Sequence, residues 1–319
     1  MSAENIIPER VTISTRKHSL EGMIYHPKNP INRQVLIVPG RNEMLYKYQD
    51  FYKLLSACGI KVIIYDHIGQ GFSPRITEDS QMCHIDTFDT YADDLVDVVD
   101  TLYGHMPLTV ISISMGGLIT LKALQNKAMA DKIEQCIFIS PFLGLKQHLP
   151  YCFIKAITHL RDFINRLNSS KKVSFFYFND YFRQRVVGVD ANTHSEDKNK
   201  EYYALYQKYP EAKLGGITTE WLRAALRCLN DVRSYRYNFK FKSLFVIAGN
   251  DNIVSSPDAL RFVQKTAENS AFPPEMLCIS DCLHDILIED DPYRKQAIQS
   301  IMKFLQLDDN QQNTQGVLS

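Results

Sequence analysis

Leu108-Thr109-Val110-Ile111-Ser112-Ile113-Ser114-Met115-Gly116-Gly117 is an apolar run that ends in a serine and two glycines. Its first six residues carry no charge and are rich in β-branched side chains, which predicts a strand buried on both faces. Leu118, Leu121 and Leu124 then recur at helical spacing. The chain must therefore turn sharply from strand to helix at Ser114. Such a turn needs small residues close to its tip. Gly116 and Gly117 supply them on the helix side, and Ser112 stands on the strand side where glycine is usual. A serine at the tip of this turn is a candidate nucleophile. A plain glycine-eased turn would read the same way, so the remaining groups must decide.

Outward from this stretch, short apolar strands alternate with amphipathic segments. Residues 34–39 (QVLIVP) and 61–65 (KVIIY) read as strands, and Tyr48, Phe51, Tyr52, Leu54 and Leu55 between them as a helix. Residues 11–14 and 20–25 suggest an antiparallel hairpin with its turn near 16–19. Phe88, Tyr91, Leu95, Val98, Val99 and Leu102 mark a long helix, with Asp93, Asp94, Asp97 and Asp100 expected on one solvated face rather than at a metal. Residues 135–140 add a strand. The rhythm breaks after Pro141 and resumes with a strand at 243–248, a helix at 257–266, a strand at 275–279 and a helix at 292–305. This alternation predicts an α/β protein with a mostly parallel sheet and helices on both faces. The expected organisation is a core in two parts, 1–140 and 238–307, an insertion at 141–237, and a disordered polar tail at 308–319.

The chain has 319 residues, 45% hydrophobic and 23% charged, with 36 basic and 36 acidic side chains in balance. No basic field exists to draw nucleic acid, so no nucleic-acid partner is expected. Seven cysteines are scattered without a CxxC pair or zinc spacing, and read as reduced core thiols. The first residues lack an apolar leader and no run is long enough to span a bilayer, so a cytoplasmic location is expected. Neither a cofactor nor a metal is expected.

A serine hydroxyl attacks only when a base takes its proton, and a third group must orient that base. Asp251 follows the strand 243–248, and His284 follows the strand 275–279. Loops at the carboxyl ends of strands are where open α/β sheets build their sites. The order serine, acid, histidine is the one such folds use. Ser114 is thus the expected nucleophile, His284 the base and Asp251 the orienting acid. An oxyanion needs two N–H donors. Met115 is the natural first and Arg41 the second, with Gly40 letting the loop after strand 34–39 turn.

With these residues in place, the chain resembles the α/β-hydrolase superfamily of serine hydrolases, particularly the bacterial lysophospholipase and monoacylglycerol lipase group. Leu36-Ile37-Val38-Pro39-Gly40-Arg41, with Tyr48 following, is similar to that group's oxyanion loop. Asp66-His67-Ile68-Gly69-Gln70-Gly71-Phe72-Ser73 resembles its D-x-R-G-x-G-x-S signature, with Ile68 in place of arginine. His84-Ile85-Asp86-Thr87-Phe88, with Tyr91 and Asp94-Leu95, resembles its next helix approach. Asn192-Thr193-His194-Ser195, Leu214-Gly215-Gly216-Ile217-Thr218 and Trp221 resemble its lid. The resemblance spans about residues 20–305 and implies an α/β-hydrolase fold with a helical lid. It also implies a carboxylic-ester hydrolase that works through an acyl-enzyme on lysophospholipids or monoacylglycerols.

The insertion's own composition suits an apolar substrate. Phe153, Ile154, Ile157, Leu160, Phe163, Ile164 and Leu167 have helical spacing, and an aromatic patch follows at 173–178. Lys155, Arg161, Arg166, Lys171 and Lys172 flank that face, which would allow peripheral contact with the inner face of the membrane. A small-molecule esterase or thioesterase, or a non-catalytic binding protein on the same scaffold, are the competing readings.

Overall fold

The computed structural model describes residues 6–146 and 182–307. Eight strands form one sheet in the order β1-β2-β4-β3-β5-β6-β7-β8, where β1 is Glu9–Ser14, β2 Ser19–Tyr25, β3 Gln34–Val38 and β4 Lys61–Tyr65. The others are β5 Leu108–Ile113, β6 Gln135–Ile139, β7 Lys242–Ala248 and β8 Glu275–Ile279. β1 pairs β2, and β2 pairs β4, antiparallel; every other neighbour is parallel. This is the mostly parallel α/β sheet expected from the sequence.

Period-two alternation sorts each strand between two apolar layers. Leu36, Val38, Val110, Phe138, Phe245 and Ile247 face one layer. There they meet α2 (Asp89–Leu102), α3 (Met115–Ala123), α6 (Thr219–Ser234) and α7 (Ser256–Ala267). Val35, Ile37, Ile111, Ile113, Ile137 and Val246 face the other layer, with α1 (Gln49–Ala57) and α8 (Asp291–Phe304). A short α4 (Lys127–Ala130) precedes β6, and α5 (Glu196–Lys208) lies in the segment between β6 and β7. No helix among the described residues is long and apolar enough to cross a membrane.

From β3 the chain moves to β4 on one side and then crosses back from β4 to β5 on the other, so the winding reverses at β3. A crevice opens at the carboxyl ends of strands where the winding reverses. Here those ends carry the loop 39–42 and the turn at Ser114.

Two expectations change, and others fall outside the described residues. Asp94 is buried rather than solvated, because the β1–β2 turn folds over α2: Thr15 Oγ1 donates to Asp94 Oδ1 at 2.8 Å and His18 Nδ1 lies 2.9 Å from the same oxygen. Arg16 and Lys17 reach Asp97 and Asp93 from the same turn. The cysteines are not uniformly core residues, since Cys278 is exposed on the edge strand β8 and Cys58 is half-buried at the end of α1. The helix and aromatic patch predicted at 153–178, with their flanking lysines and arginines, and the tail at 308–319 lie outside the described residues.

Candidate active site

Ser114 sits between β5 and α3 with φ 51° and ψ −116°. A side chain in such backbone costs of order 1–3 kcal/mol, so surrounding structure must hold it. Its N–H donates to Ile139 O at 2.9 Å, and its carbonyl accepts from Gly117 and Phe142 N–H at 2.9 Å each. Gly116 is forced by proximity: a Cβ there would lie 2.2 Å from Val38 O and 2.7 Å from Pro39 O. Gly40 is also close, its added Cβ falling 3.0 Å from Ser114 Cβ. Ser112 is wholly buried, and its Oγ lies 2.7 Å from Thr120 Oγ1 on α3. The hydroxyl that replaces the usual glycine is therefore hydrogen-bonded to the helix it packs against.

The three predicted groups converge. Ser114 Oγ lies 2.9 Å from His284 Nε2, and His284 Nδ1 lies 2.7 Å from Asp251 Oδ2. A carboxylate accepts only, so Nδ1 carries the proton and Nε2 is left as acceptor for the serine hydroxyl. Asp251 is buried, and its Oδ1 accepts the N–H groups of Ile253 and Val254 at 2.8 and 2.9 Å. Burial alone would lower the His284 pKa. The Asp251 charge and hydrogen bond, with the nearby Asp285 charge, outweigh it and raise the value above an ordinary histidine's.

The loop 39–42 faces this turn with two of its backbone N–H groups and two of its carbonyls engaged. His67 Nε2–H donates to Pro39 O at 2.9 Å; burial, only partly opposed by this bond, lowers the His67 pKa to about 4 and keeps it neutral. Gly40 N–H donates to Glu43 Oε2 at 2.5 Å, and Asn42 N–H to Gln70 Oε1 at 2.9 Å. Asn42 O accepts the hydroxyls of Tyr206 and Tyr202 at 2.8 and 3.0 Å. The Arg41 side chain donates to Gly215 O at 3.0 Å. Among the described residues this leaves the Arg41 N–H as the loop donor free to serve an anion at Ser114. Met115, at the first turn of α3, lines the same cavity.

Sequence reading missed several supporting groups. Ser140, with φ 43°, donates from Oγ to His284 O at 2.8 Å and so anchors the histidine loop to the end of β6. Glu43, Lys47, Tyr48 and Asp285 form a buried polar cluster beside it. Its only sequence signal is the Glu43–Lys47 spacing of four, which on a helix reads as a surface pair. Asp66 is also buried. Its Oδ2 accepts Phe72 N–H at 2.8 Å, and burial pushes its pKa up to about 8.

The cavity over Ser114 has a volume of about 670 Å³. Phe142, Leu145, Leu214, Ile217, Trp221 and Leu222 give it an apolar wall. Trp221 is stacked parallel to Phe142 and meets Phe88 edge-on. Arg185, Asn192 and Asn199 line a polar part. This part is tied to the histidine loop, because Asp285 N–H donates to Asn192 O at 2.9 Å.

Comparison with known proteins adds a family. The family model described as serine aminopeptidase, S33, matches residues 29–291. The chain is 24% identical over 287 residues to a probable lysophospholipase L2 of Haemophilus influenzae, spanning 88% of this chain and 86% of that one. It is 26% identical over 281 residues to lysophospholipase L2 of Escherichia coli K12, spanning 86% and 80%. Among solved structures, the monoglyceride lipase of Saccharomyces cerevisiae superposes with a TM-score of 0.71 at 18% identity, over 96% of this chain and 98% of that one. A carboxyl esterase of Bacillus coagulans gives 0.69 at 13%, over 99% and 100%. These structural likenesses show the α/β-hydrolase fold.

Proposed function

Because this chain belongs to the serine aminopeptidase, S33, family, we propose that it is a serine carboxylic-ester hydrolase for lysophospholipids, with Ser114 as nucleophile. The observation that carries the reading is the unbroken relay from Ser114 Oγ to His284 to Asp251 at 2.9 and 2.7 Å, opening on a cavity with an apolar wall. Its lysophospholipase relatives and monoglyceride lipase neighbour support it.

Ser114 Oγ attacks the ester carbonyl while His284 Nε2 takes its proton. The Arg41 and Met115 N–H groups hold the resulting oxyanion. As the intermediate collapses, the bond to the alcohol breaks, and His284 gives its proton to the departing oxygen. Water then attacks the acyl-serine, losing a proton to His284; as the acyl–Oγ bond breaks, His284 returns that proton to Ser114 Oγ and a fatty acid is freed. Asp251 keeps the imidazole in the reactive tautomer throughout.

The alcohol must leave on the histidine's side, where Arg185, Asn192 and Asn199 stand. The acyl chain then takes the wall of Phe142, Leu145 and Trp221. A guanidinium beside two amides suits a phosphodiester headgroup better than a free glycerol. The residues 141–237 act on this reading as the cover of the site.

Ser114→Ala, compared with the parent protein on lysophosphatidylcholine and on a fluorophosphonate probe, tests the assignment. Loss of both turnover and labelling is expected. Retained turnover in a folded Ser114→Ala protein would remove Ser114 from the reaction. Arg185→Gln tests the headgroup: about a tenfold loss of kcat/KM on lysophosphatidylglycerol, with monoacylglycerol of the same chain length much less affected, is expected. An equal loss on both substrates would leave Arg185 no headgroup role.

A further inference from the structure

Glu43, Lys47 and Asp285 bring three formal charges together in the interior, beside the catalytic relay. Their side chains are 4%, 4% and 6% exposed. Lys47 Nζ donates to Glu43 Oε1 and to Asp285 Oδ1 at 3.0 Å each. Tyr48 donates to Glu43 Oε1 at 2.5 Å, and Glu43 Oε2 takes the Gly40 N–H. Burying three charges costs far more than a surface pair returns, and an apolar cluster of similar volume would stabilise the fold at least as well. Stability alone therefore gives no reason for these residue types here.

Their ends give the reason. Glu43 grips Gly40, immediately before the Arg41 N–H that faces the reacting carbonyl. Asp285 immediately follows His284. Lys47 is the cation both carboxylates share, so it ties the loop 39–42 to the histidine loop across the crevice. We infer that Glu43, Lys47 and Asp285 form a positioning bridge that fixes the oxyanion donor at Arg41 and the base at His284 in one mutual geometry. This rests on the role given above to Ser114, His284 and Arg41. The three residues also line the cavity over Ser114, but their side-chain hydrogen bonds go to Gly40, Tyr48 and one another rather than to Ser114 Oγ or the His284 ring, so they are assigned a positioning role through Gly40 and His284.

The bridge also has an electrostatic consequence. The charged groups acting on the His284 imidazole are Asp251 and Asp285, which raise its pKa, and Lys47, which lowers it. Burial would lower the Lys47 pKa, but Asp285 and Glu43 hold it above the ordinary lysine value. Burial would raise the Asp285 pKa, but Lys47 and His284 hold it below the ordinary carboxyl value. Lys47 and Asp285 are thus both charged whenever His284 is neutral and reactive.

The test uses Glu43→Gln and Asp285→Asn in the full chain, each near-isosteric with the residue it replaces, with the parent protein labelled by fluorophosphonate in parallel. Glu43→Gln weakens the hold on Gly40, and kcat is expected to fall by about 10- to 100-fold with KM changed less than about threefold. Fluorophosphonate labelling should slow in step with kcat. Asp285→Asn removes a charge that raises the His284 pKa, so the acid limb of kcat/KM should move to lower pH while kcat falls. Folded variants with parent kcat and an unmoved acid limb would reduce the bridge to a structural feature. A parent protein that does not label at Ser114 would instead refute the assignment on which the bridge rests. Should Glu43→Gln fail to fold, Asp285→Asn alone decides through the pH limb.

Discussion

Ser114 and the loop 39–42 face each other across one crevice, yet opposite means hold them. The serine is fixed by its immediate surroundings: its N–H on Ile139, its carbonyl on Gly117 and Phe142, and Gly116 pressed against Val38 and Pro39 carbonyls. Most of these groups lie on, or within a few residues of, strand ends and a helix start that the sheet itself brings together. The loop 39–42 has no such frame. Side chains from scattered places hold it, among them His67 and Gln70 after β4, Glu43 just beyond the loop, and Tyr202 and Tyr206 on α5. The Ser114 side, the nucleophile on the proposed reading, is thus part of the scaffold. The side of the loop 39–42, the oxyanion side on the same reading, is assembled from it, and partly from the segment between β6 and β7.

Variants on the scaffold side should be the most severe. His284→Ala removes the proposed base, and a loss of kcat on the order of 10⁵- to 10⁶-fold is expected in steady-state ester assays. Asp251→Asn keeps the shape but offers Nδ1 the wrong partner, and about 10⁴-fold is expected, as for an orienting acid in such relays. If His284→Ala cost no more than tenfold, the relay would be a structural hydrogen bond only. Gly116→Ala comes next. Its Cβ would meet backbone oxygens at 2.2 and 2.7 Å, which cannot swing aside as a side chain would. A destabilisation of about 3 kcal/mol in denaturant melts is expected, with kcat lowered about 100-fold as Ser114 shifts.

This division also explains what the sequence disclosed. Strands β4, β5 and β8 fall at the residues where their apolar runs begin and end. The meeting of Asp251 and His284 with Ser114 was legible because each stands just beyond such a run, in the chain order expected of the proposed chemistry. Glu43 and Lys47 were not, since a carboxylate and an amine four residues apart read as solvated. Only Asp285, far along the chain, turns them into a buried cluster. Asp94 was misread for the same reason: its burial comes from a hairpin turn about 80 residues earlier in the chain. Period and order report a residue's own element, whereas burial of a charge depends on what arrives from elsewhere.

On the assembled side, effects should be smaller and shared. Tyr206→Phe removes one of two hydroxyls on Asn42 O, with Tyr202 remaining at 3.0 Å. One hydrogen bond contributes about 1 kcal/mol, so a roughly three- to tenfold fall in kcat is expected. The Tyr202→Phe, Tyr206→Phe double variant should lose more than the two single losses multiplied, because each hydroxyl covers for the other. Losses that simply multiply would mean that α5 covers the site without holding the loop.

The smallest effect belongs to Ser112, where the scaffold side departs from the usual glycine. If that serine crowded the turn, Ser112→Gly would relieve it and raise both kcat and Tm. The geometry argues against crowding, since Ser112 Oγ meets Thr120 Oγ1 at 2.7 Å with both residues wholly buried. Ser112→Gly then loses that bond and adds backbone freedom to the unfolded chain, for a destabilisation of about 1–2 kcal/mol. Ser112→Ala loses the bond alone and should cost about 1 kcal/mol, leaving Thr120 to bond back along its own helix. Both variants should shift the denaturation midpoint far more than kcat. A Ser112→Gly protein that is faster and no less stable would show that strand β5 approaches α3 too closely, and that the strain at Ser114 is not confined to the serine itself.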